Sequence, residues 1–217
     1  MGKRLRFANR FDAGARLAGC LADYKHVPVV GLARGGVMVG AAVAKALRSP
    51  LLALVVRKLG VPNQPELAFG AVTADGVFFL DRLYMREKGI RESEMRKIAE
   101  YELSEARRRQ KLYKKYQPSL NLHKKTVIVV DDGLATGATM RAALLSLKKQ
   151  KPALIIAAFP TCAAFTISDI ADSGVHVVCL TIDKAFRAVG WYYNDFPQVT
   201  DEEVIEMLRL RNTGEKR

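Results

Sequence analysis

The sequence lacks a long hydrophobic run: no stretch approaches the ~20 apolar residues that a membrane-spanning helix needs. Its basic N-terminus is not followed by an apolar signal core, so we expect no membrane contact and a cytoplasmic location. Cysteine and histidine are also scarce, with three residues of each. The histidines show no ligand spacing, and an odd number of distant cysteines favours buried free thiols over disulfides or a metal site.

Acidic residues are few relative to basic ones: 22 Asp and Glu stand against 35 Lys and Arg, for a net charge of +13. Such a surplus attracts anions, either a pyrophosphorylated small molecule or nucleic acid. Much of it falls in residues 82–125, which contain 14 basic and 6 acidic residues. A run of this kind is more often a solvated helix face, and no helix-turn-helix unit is visible, so the sequence argues against nucleic acid as the main partner.

The order of apolar segments predicts an α/β fold. Strand-like apolar runs alternate with helical patterns, as in a Rossmann-like parallel sheet with right-handed crossovers, flanked by helices. The expected sheet has about five strands, at 27–32, 51–56, 127–130, 153–159 and 175–182.

The remaining segments fit a single domain over residues 1–211. Gly60, Pro62 and Pro65 predict a loop over 57–66, which a β-hairpin of 67–73 and 77–80 follows. The other predicted parts are a basic helical insertion (84–120), an aromatic segment (184–200) and a disordered tail (212–217).

Residues 127–139, Val-Ile-Val-Val-Asp-Asp-Gly-Leu-Ala-Thr-Gly-Ala-Thr, have the strongest chemical signal. A buried strand ends at two adjacent carboxylates, and a turn of small residues leads into a helix whose positive dipole end favours a phosphate. Thr136 and Thr139 add hydroxyl donors, whereas Asp131 and Asp132 accept hydrogen bonds, which suits sugar hydroxyls or a divalent cation. The segment therefore predicts a site for a phosphorylated sugar.

A second anion site is predicted after the first strand, where Arg34 precedes Gly35 and Gly36. A guanidinium beside bare backbone amides suits a pyrophosphate, although a tight glycine turn with a solvated arginine fits equally well. In an open α/β sheet, ligands bind beyond the carboxyl ends of the strands. We therefore expect four segments to face one crevice: this turn (33–36), the 57–66 loop, the 131–137 turn and the aromatic stretch after Ile182.

Residues 127–139 resemble the phosphoribosyl-pyrophosphate (PRPP) signature of the type I phosphoribosyltransferases, which has four apolar residues, two acids, a variable stretch and a Thr-Gly-x-Thr turn. Gly133 departs from it, since the family more often has an apolar residue there. The resemblance implies the family's fold and PRPP as co-substrate with Mg²⁺, which Asp131 and Asp132 would contact only indirectly. The implied PRPP-binding residues are Arg34, Gly35, Gly36, Asp131, Asp132, Ala135, Thr136, Gly137, Ala138 and Thr139.

The resemblance also implies catalytic roles. The family has a pyrophosphate loop, often with a cis peptide, at the place of Ala33–Arg34, and a flexible loop with a hairpin, here 57–81. A basic residue of that loop, Lys58, would neutralise the departing pyrophosphate. Catalysis would thus rest on Arg34, Lys58, Asp131 and Asp132, in a homodimeric enzyme of nucleotide salvage that transfers 5-phosphoribosyl to a nitrogenous acceptor.

Residues 186–196 resemble the hood that covers the base in purine-type members, where Val-Gly precedes an aromatic residue. Aromatic side chains would hold a planar base by stacking, although aromatics near a terminus are frequently core or dimer contacts. On this resemblance the acceptor is purine-like. The expected base contacts are Phe186, Val189, Trp191 and Tyr192.

The segments described above are spread over most of the chain. Together they resemble a stand-alone bacterial or archaeal subgroup of the family, in which the acceptor is generally unassigned. One alternative is a regulator that senses PRPP with little turnover and binds nucleic acid through residues 82–125. A dinucleotide-binding protein fits less well, because Gly31-Leu-Ala-Arg-Gly-Gly lacks the Gly-x-Gly-x-x-Gly spacing.

Overall fold

The computed structural model describes residues 6–212, apart from the side chains of residues 65 and 66. The strands of this part are β1 (Val29–Ala33), β2 (Leu51–Val61), β3 (Gln64–Thr73), β4 (Phe78–Leu80), β5 (Thr126–Val130), β6 (Leu154–Ala163) and β7 (His176–Asp183). They form one sheet with the spatial order β4-β3-β2-β1-β5-β6-β7. The last five of these are parallel to one another, as the alternation of strands and helices predicts.

The helices of the same residues lie on both faces of the sheet. They are α1 (Arg10–Gly19), α2 (Gly35–Leu47), α3 (Arg82–Glu87), α4 (Glu92–Lys114), α5 (Ala138–Lys148), α6 (Ala164–Ala171), α7 (Asp201–Asn212) and a short 3₁₀ helix, Val189–Tyr192. None of these described helices is long and apolar enough to cross a membrane.

Two apolar cores enclose the sheet, and strand alternation assigns side chains to them. Along β5, Ile128 and Val130 pack with α1, α2 and α7, whereas Val127 and Val129 pack with α5 on the other face. Because both faces are covered, β5 is apolar at consecutive positions. The carboxyl end of this central strand is where the two acidic residues follow.

The predicted number of strands is wrong: the sheet has seven rather than about five, because the hairpin pairs antiparallel with β2 and extends the same sheet. The loop predicted over 57–66 is wrong for a related reason. β2 continues to Val61. The pairing of β2 with β3 is irregular at Gly60, and this irregularity allows the strand to include the glycine. The chain reverses at Pro62 and Asn63, and the predicted hairpin over 67–73 and 77–80 follows as β3 and β4.

The basic segment contains α3 and α4, and α4 covers part of the edge of the sheet. β3 pairs with β2 only from Val56 onward, so the first half of β2 has an open edge. Side-chain amides take the place of a neighbouring strand there. Gln110 bonds to Val55 N and Ala53 O, Gln117 to Ala53 N, and Asn212 to Leu51 N and O.

Asn212 therefore belongs to the folded domain rather than to the predicted tail. It is the last residue of α7, and its amide also donates to Tyr116 O at 3.1 Å. Residues 213–217, the rest of that predicted tail, lie outside the described residues.

Candidate active site

The turn between β5 and α5 is fixed by the next strand. Leu134 N donates to Thr161 O, and Ala163 N donates to Leu134 O, each at 2.9 Å. Gly137 has φ +78°, a conformation that favours glycine, and it begins α5 without a side-chain cap. The first amides of α5 therefore have no side-chain acceptor at the N-cap, as a phosphate site requires.

The turn between β1 and α2 lies against the two aspartates. Its Ala33–Arg34 peptide bond is cis, at the position where the resemblance placed one. A Cβ on Gly35 would overlap the Asp132 carboxylate, only 2.7 Å from Cγ, and one on Gly36 would lie 2.6 Å from Val130 O. The glycines thus permit the backbone of this turn to touch the carboxylates directly.

Asp131 and Asp132 are held by hydrogen bonds. Asp131 Oδ1 accepts from Asp132 N at 2.9 Å, Asp132 Oδ2 pairs with Arg10 Nε at 2.8 Å, and Tyr193 OH donates to Asp132 O at 2.6 Å. Burial, followed by the charge of Asp132, raises the pKa of Asp131 well above its usual range. Burial also raises the pKa of Asp132, although Arg10 opposes this shift by its charge and hydrogen bond.

Basic side chains enter the site from β2 and α4. Arg57 Nε lies 2.6 Å from Glu102 Oε2, which joins the strand to the helix. Arg109 Nε lies 3.2 Å from Asp201 Oδ1, the atom that also accepts from the Tyr113 hydroxyl. The Arg109 Nε is buried without a hydrogen bond of good geometry, so Asp201 holds this guanidinium by charge.

These elements enclose one cleft of about 450 Å³ at the carboxyl ends of the strands. Most of the predicted site residues line it: Arg34, Gly35, Lys58, Asp131, Asp132, Ala135, Thr136, Gly137, Thr139 and Val189. Gly36 and Ala138 do not line it, although each is next in sequence to a lining residue, Gly35 and Gly137. The sequence predicts four loops around one crevice. All four segments contribute lining residues to the cleft, but β2 itself supplies the part expected from the 57–66 loop.

The hood, residues 184–200, contacts the cleft through Val189 alone among the four expected base contacts. Phe186 and Tyr192 stack on each other with ring centroids 5.3 Å apart, and Tyr192 is buried and donates to Asp183. Trp191 is half exposed beneath the guanidinium of Arg187. Phe186 and Tyr192 thus pack inside the hood, a core role that the sequence left open for the aromatic residues, whereas Trp191 lies at its surface.

Sequence reasoning missed Arg10, Glu102 and Arg109. Arg10 is nearly buried, although it looks like an ordinary charged residue at the start of an amphipathic helix. Glu102 and Arg109 lie seven positions apart on α4, a spacing of about two turns that places both on one helix face. That spacing was a signal, but the many other charges on α4 concealed it.

The described residues contain no group of three or more His, Cys, Asp or Glu side chains arranged to hold a metal ion. The pair of aspartates can offer oxygen atoms of the kind that Mg²⁺ prefers, but Asp132 already has Arg10 as its partner. This donor set fits a cation that arrives with a phosphorylated ligand and is held mainly by it.

The family model described as "Phosphoribosyl transferase domain" matches residues 8–193. The chain belongs to the phosphoribosyltransferase family. A relative from Mycobacterium tuberculosis, "Putative phosphoribosyl transferase Rv0571c", is 40% identical over 204 residues, which cover 93% of this chain and 46% of that protein. This phosphoribosyltransferase chain thus spans about half the length of the curated relatives it matches.

Two solved structures share the fold of this chain. The crystal structure of TT1426 from Thermus thermophilus superposes with a TM-score of 0.77 at 36% identity, covering 95% of this chain and 99% of that one. A purine phosphoribosyltransferase from Pyrococcus horikoshii has a TM-score of 0.50 at 18% identity, covering 88% of this chain and 92% of that one. At 18% identity, the similarity to the Pyrococcus horikoshii protein shows a shared fold and nothing more.

Proposed function

We propose that the protein transfers the 5-phosphoribosyl group of PRPP to a nitrogenous acceptor and releases pyrophosphate. One observation carries this proposal: the 131–137 turn, with its two carboxylates, faces the Arg34–Gly35 turn across a single cleft. PRPP needs a polyol site with an anion site on either side of it. The cleft offers that order of chemical groups, in a family that the sequence match identifies.

Each part of PRPP has a proposed position. The 5′-phosphate occupies residues 135–139, where the amides at the start of α5 and the hydroxyls of Thr136 and Thr139 donate. The ribose hydroxyls donate to Asp131 and Asp132. The pyrophosphate lies at Arg34, Gly35 and Gly36, where a guanidinium and backbone amides bind it together.

The reaction requires no covalent nucleophile. The acceptor nitrogen forms a bond to the anomeric carbon while the bond from that carbon to the pyrophosphate oxygen breaks. The oxygen takes the electron pair, and the proton of the acceptor N–H passes to water. Arg34 and Lys58 would stabilise the charge that builds on the leaving group, and Arg57 and Arg109 add two further cations to the cleft wall. Mg²⁺, bound to PRPP as part of the substrate, would neutralise further pyrophosphate charge.

The acceptor site is proposed to lie between the hood and the 131–137 turn. Val189 lies here against Gly133, with its two γ-methyl groups 2.6 and 2.8 Å from the position of a Gly133 Cβ. The apolar surface of Val189 suits a flat ring, which supports a purine-like acceptor. The base-contact proposal therefore centres on Val189, with Phe186, Trp191 and Tyr192 shaping the hood behind it.

The direct test is pyrophosphate release from Mg-PRPP with purines, pyrimidines and other nitrogen acceptors. We expect release with at least one purine-like acceptor, and no release by the variant Asp131→Asn/Asp132→Asn. A matched control, Asp23→Asn/Asp172→Asn, removes two exposed carboxylates elsewhere and should retain activity. Light scattering of the same samples tests the homodimer that the family resemblance implies.

Calorimetry separates binding from turnover. The double variant of Asp131 and Asp132 should lose most of its affinity for Mg-PRPP, and unchanged affinity would refute the ribose assignment. Tight PRPP binding without pyrophosphate release from any acceptor, together with steeply salt-dependent binding to duplex DNA, would instead identify a PRPP-sensing regulator.

A further inference from the structure

A second pocket, of about 530 Å³, lies at the other end of α2 from the cleft. Its lining includes Lys45 and Arg48 from the end of α2, Lys115 and Tyr116 after α4, and Arg211 from α7. We call it the basic pocket. It shares no lining residue with the cleft.

The charge of the basic pocket is unbalanced. Four cationic side chains surround it, and none of the described residues that line it is acidic. Within residues 6–212, the side chains of these four residues form neither an ion pair nor a hydrogen bond. By contrast, two of the arginines of the cleft wall, Arg57 and Arg109, each face a carboxylate.

Helix capping does not explain these cations. Basic residues do stabilise helix C-termini, where backbone carbonyls lack partners. Here, however, the Arg48 and Ser49 amides donate to Ala44 O, and the Asn212 side chain donates to Tyr116 O. Ala44 O and Tyr116 O are therefore satisfied without the charged groups, which remain available to a ligand.

We propose that the basic pocket binds a small anion with adjacent phosphate groups, such as inorganic polyphosphate or the phosphate chain of a nucleotide. Four cations match the three to four negative charges of such a chain, and the volume is that of an ordinary small-molecule site. Tyr116 and Pro118 add an apolar surface beside the charges. A concave pocket suits a compact anion better than the extended backbone of a duplex.

The position of the basic pocket connects it to the cleft through three helices. α2 begins at Gly35 in the cleft, α4 carries Arg109, and α7 begins at Asp201, which holds Arg109. The basic pocket lies at the opposite end of α2 and of α7, and on α4 it follows Arg109 by six positions, at Lys115. An anion bound there would contact the elements that position the cleft residues.

Calorimetry with inorganic tripolyphosphate tests the proposal on the full chain. Every protein in the series also carries Arg34→Gln, which weakens phosphate binding in the cleft. Adding Lys45→Gln and Lys115→Gln should weaken tripolyphosphate binding by at least about tenfold, because two charge-assisted contacts are lost. The control pair Lys97→Gln/Lys149→Gln removes the same charge at exposed positions elsewhere and should change the affinity by less than about twofold.

Several results would overturn the proposal: no tripolyphosphate binding, unchanged binding after the two pocket substitutions, or equal weakening in the control pair. Circular dichroism confirms that each variant is folded, and Arg48→Gln replaces the double substitution if it is not. Calorimetry with ATP distinguishes the two kinds of ligand. Tighter binding of ATP than of tripolyphosphate indicates a nucleotide, and equal binding indicates that the pocket recognises the phosphate chain alone. A 20-base-pair duplex that binds more tightly than either, through the same lysines, would identify nucleic acid instead and overturn the proposal.

Discussion

Arg10 and Asp132 form an ion pair with 2.8 Å between Nε and Oδ2, although 122 positions separate them in the chain. Both side chains are largely buried, at 10% and 17% exposure. Arg10 also donates to Pro197 O at 2.8 Å, and its guanidinium lies 3.7 Å from the ring centroid of Phe196. One side chain of α1 therefore joins the hood to a carboxylate of the cleft.

Arg10→Gln should weaken both the cleft and the fold. Asp132 would remain buried without its cationic partner, and the hood would lose the Arg10 contacts to Pro197 O and to the Phe196 ring. We expect the free energy of unfolding in urea to fall by about 2–4 kcal/mol and the affinity for Mg-PRPP to fall by at least about tenfold. Arg16→Gln on the same helix breaks an exposed pair with Asp12 and should cost less than about 1 kcal/mol. Equal losses in the two variants would contradict the role given to Arg10.

Gly35→Ala should remove PRPP binding while leaving the fold intact. The added Cβ would overlap the Asp132 carboxylate, so the carboxylate must move out of its position. We expect the affinity for Mg-PRPP in calorimetry to fall by at least about a hundredfold, since two contacts of the ligand are displaced together. Gly19→Ala is the control, because a Cβ there meets no atom within 4 Å. A Gly35→Ala protein that binds normally would show that this turn is free to adjust.

Gly133 and Val189 offer a test of the acceptor site by paired substitution. A methyl group on Gly133 would collide with the Val189 side chain, and Val189→Ala would remove the collision. We expect Gly133→Ala to raise the KM for the acceptor severalfold, and Val189→Ala in the same chain to restore part of it. The KM for PRPP should change less. If the effects of the two substitutions on the free energy of acceptor binding simply add, the two residues are not coupled at the acceptor site.

The sequence predicted features that depend on neighbouring residues, and it did not predict features that depend on contacts between distant parts of the chain. The 127–139 pattern predicted a strand, two carboxylates and a phosphate turn, because these features follow one another along the chain. The extension of β2 through Gly60 was missed, since a neighbouring strand stabilises a segment whose local composition favours a loop. Arg10 was missed because nothing near it in sequence indicates a partner 122 positions away.

The amide groups along the open edge of β2 give a prediction about stability alone. Gln110 accepts from Val55 N at 2.9 Å and donates to Ala53 O at 3.1 Å. Gln110→Leu keeps a similar volume but leaves both backbone groups without a partner, so we expect a loss of about 2–4 kcal/mol in urea unfolding. Gln150→Leu, at an exposed position, serves as the control. A loss below about 0.5 kcal/mol for Gln110→Leu would mean that water satisfies this edge.

Asp131→Asn should stabilise the free protein at neutral pH while weakening PRPP binding. Burial raises the pKa of Asp131 above its ordinary value of 3.8, so the folded state holds a proton that the unfolded chain releases. Its contribution to the free energy of unfolding therefore falls as pH rises from about 4 through the raised pKa, and asparagine avoids this loss. In thermal unfolding without PRPP or metal, the variant should exceed the native protein at pH 8, and the difference should vanish near pH 4. Asp172→Asn, at an exposed position, should show no such trend. An advantage that grows toward acid pH would show that the buried carboxylate is stabilised in its charged form.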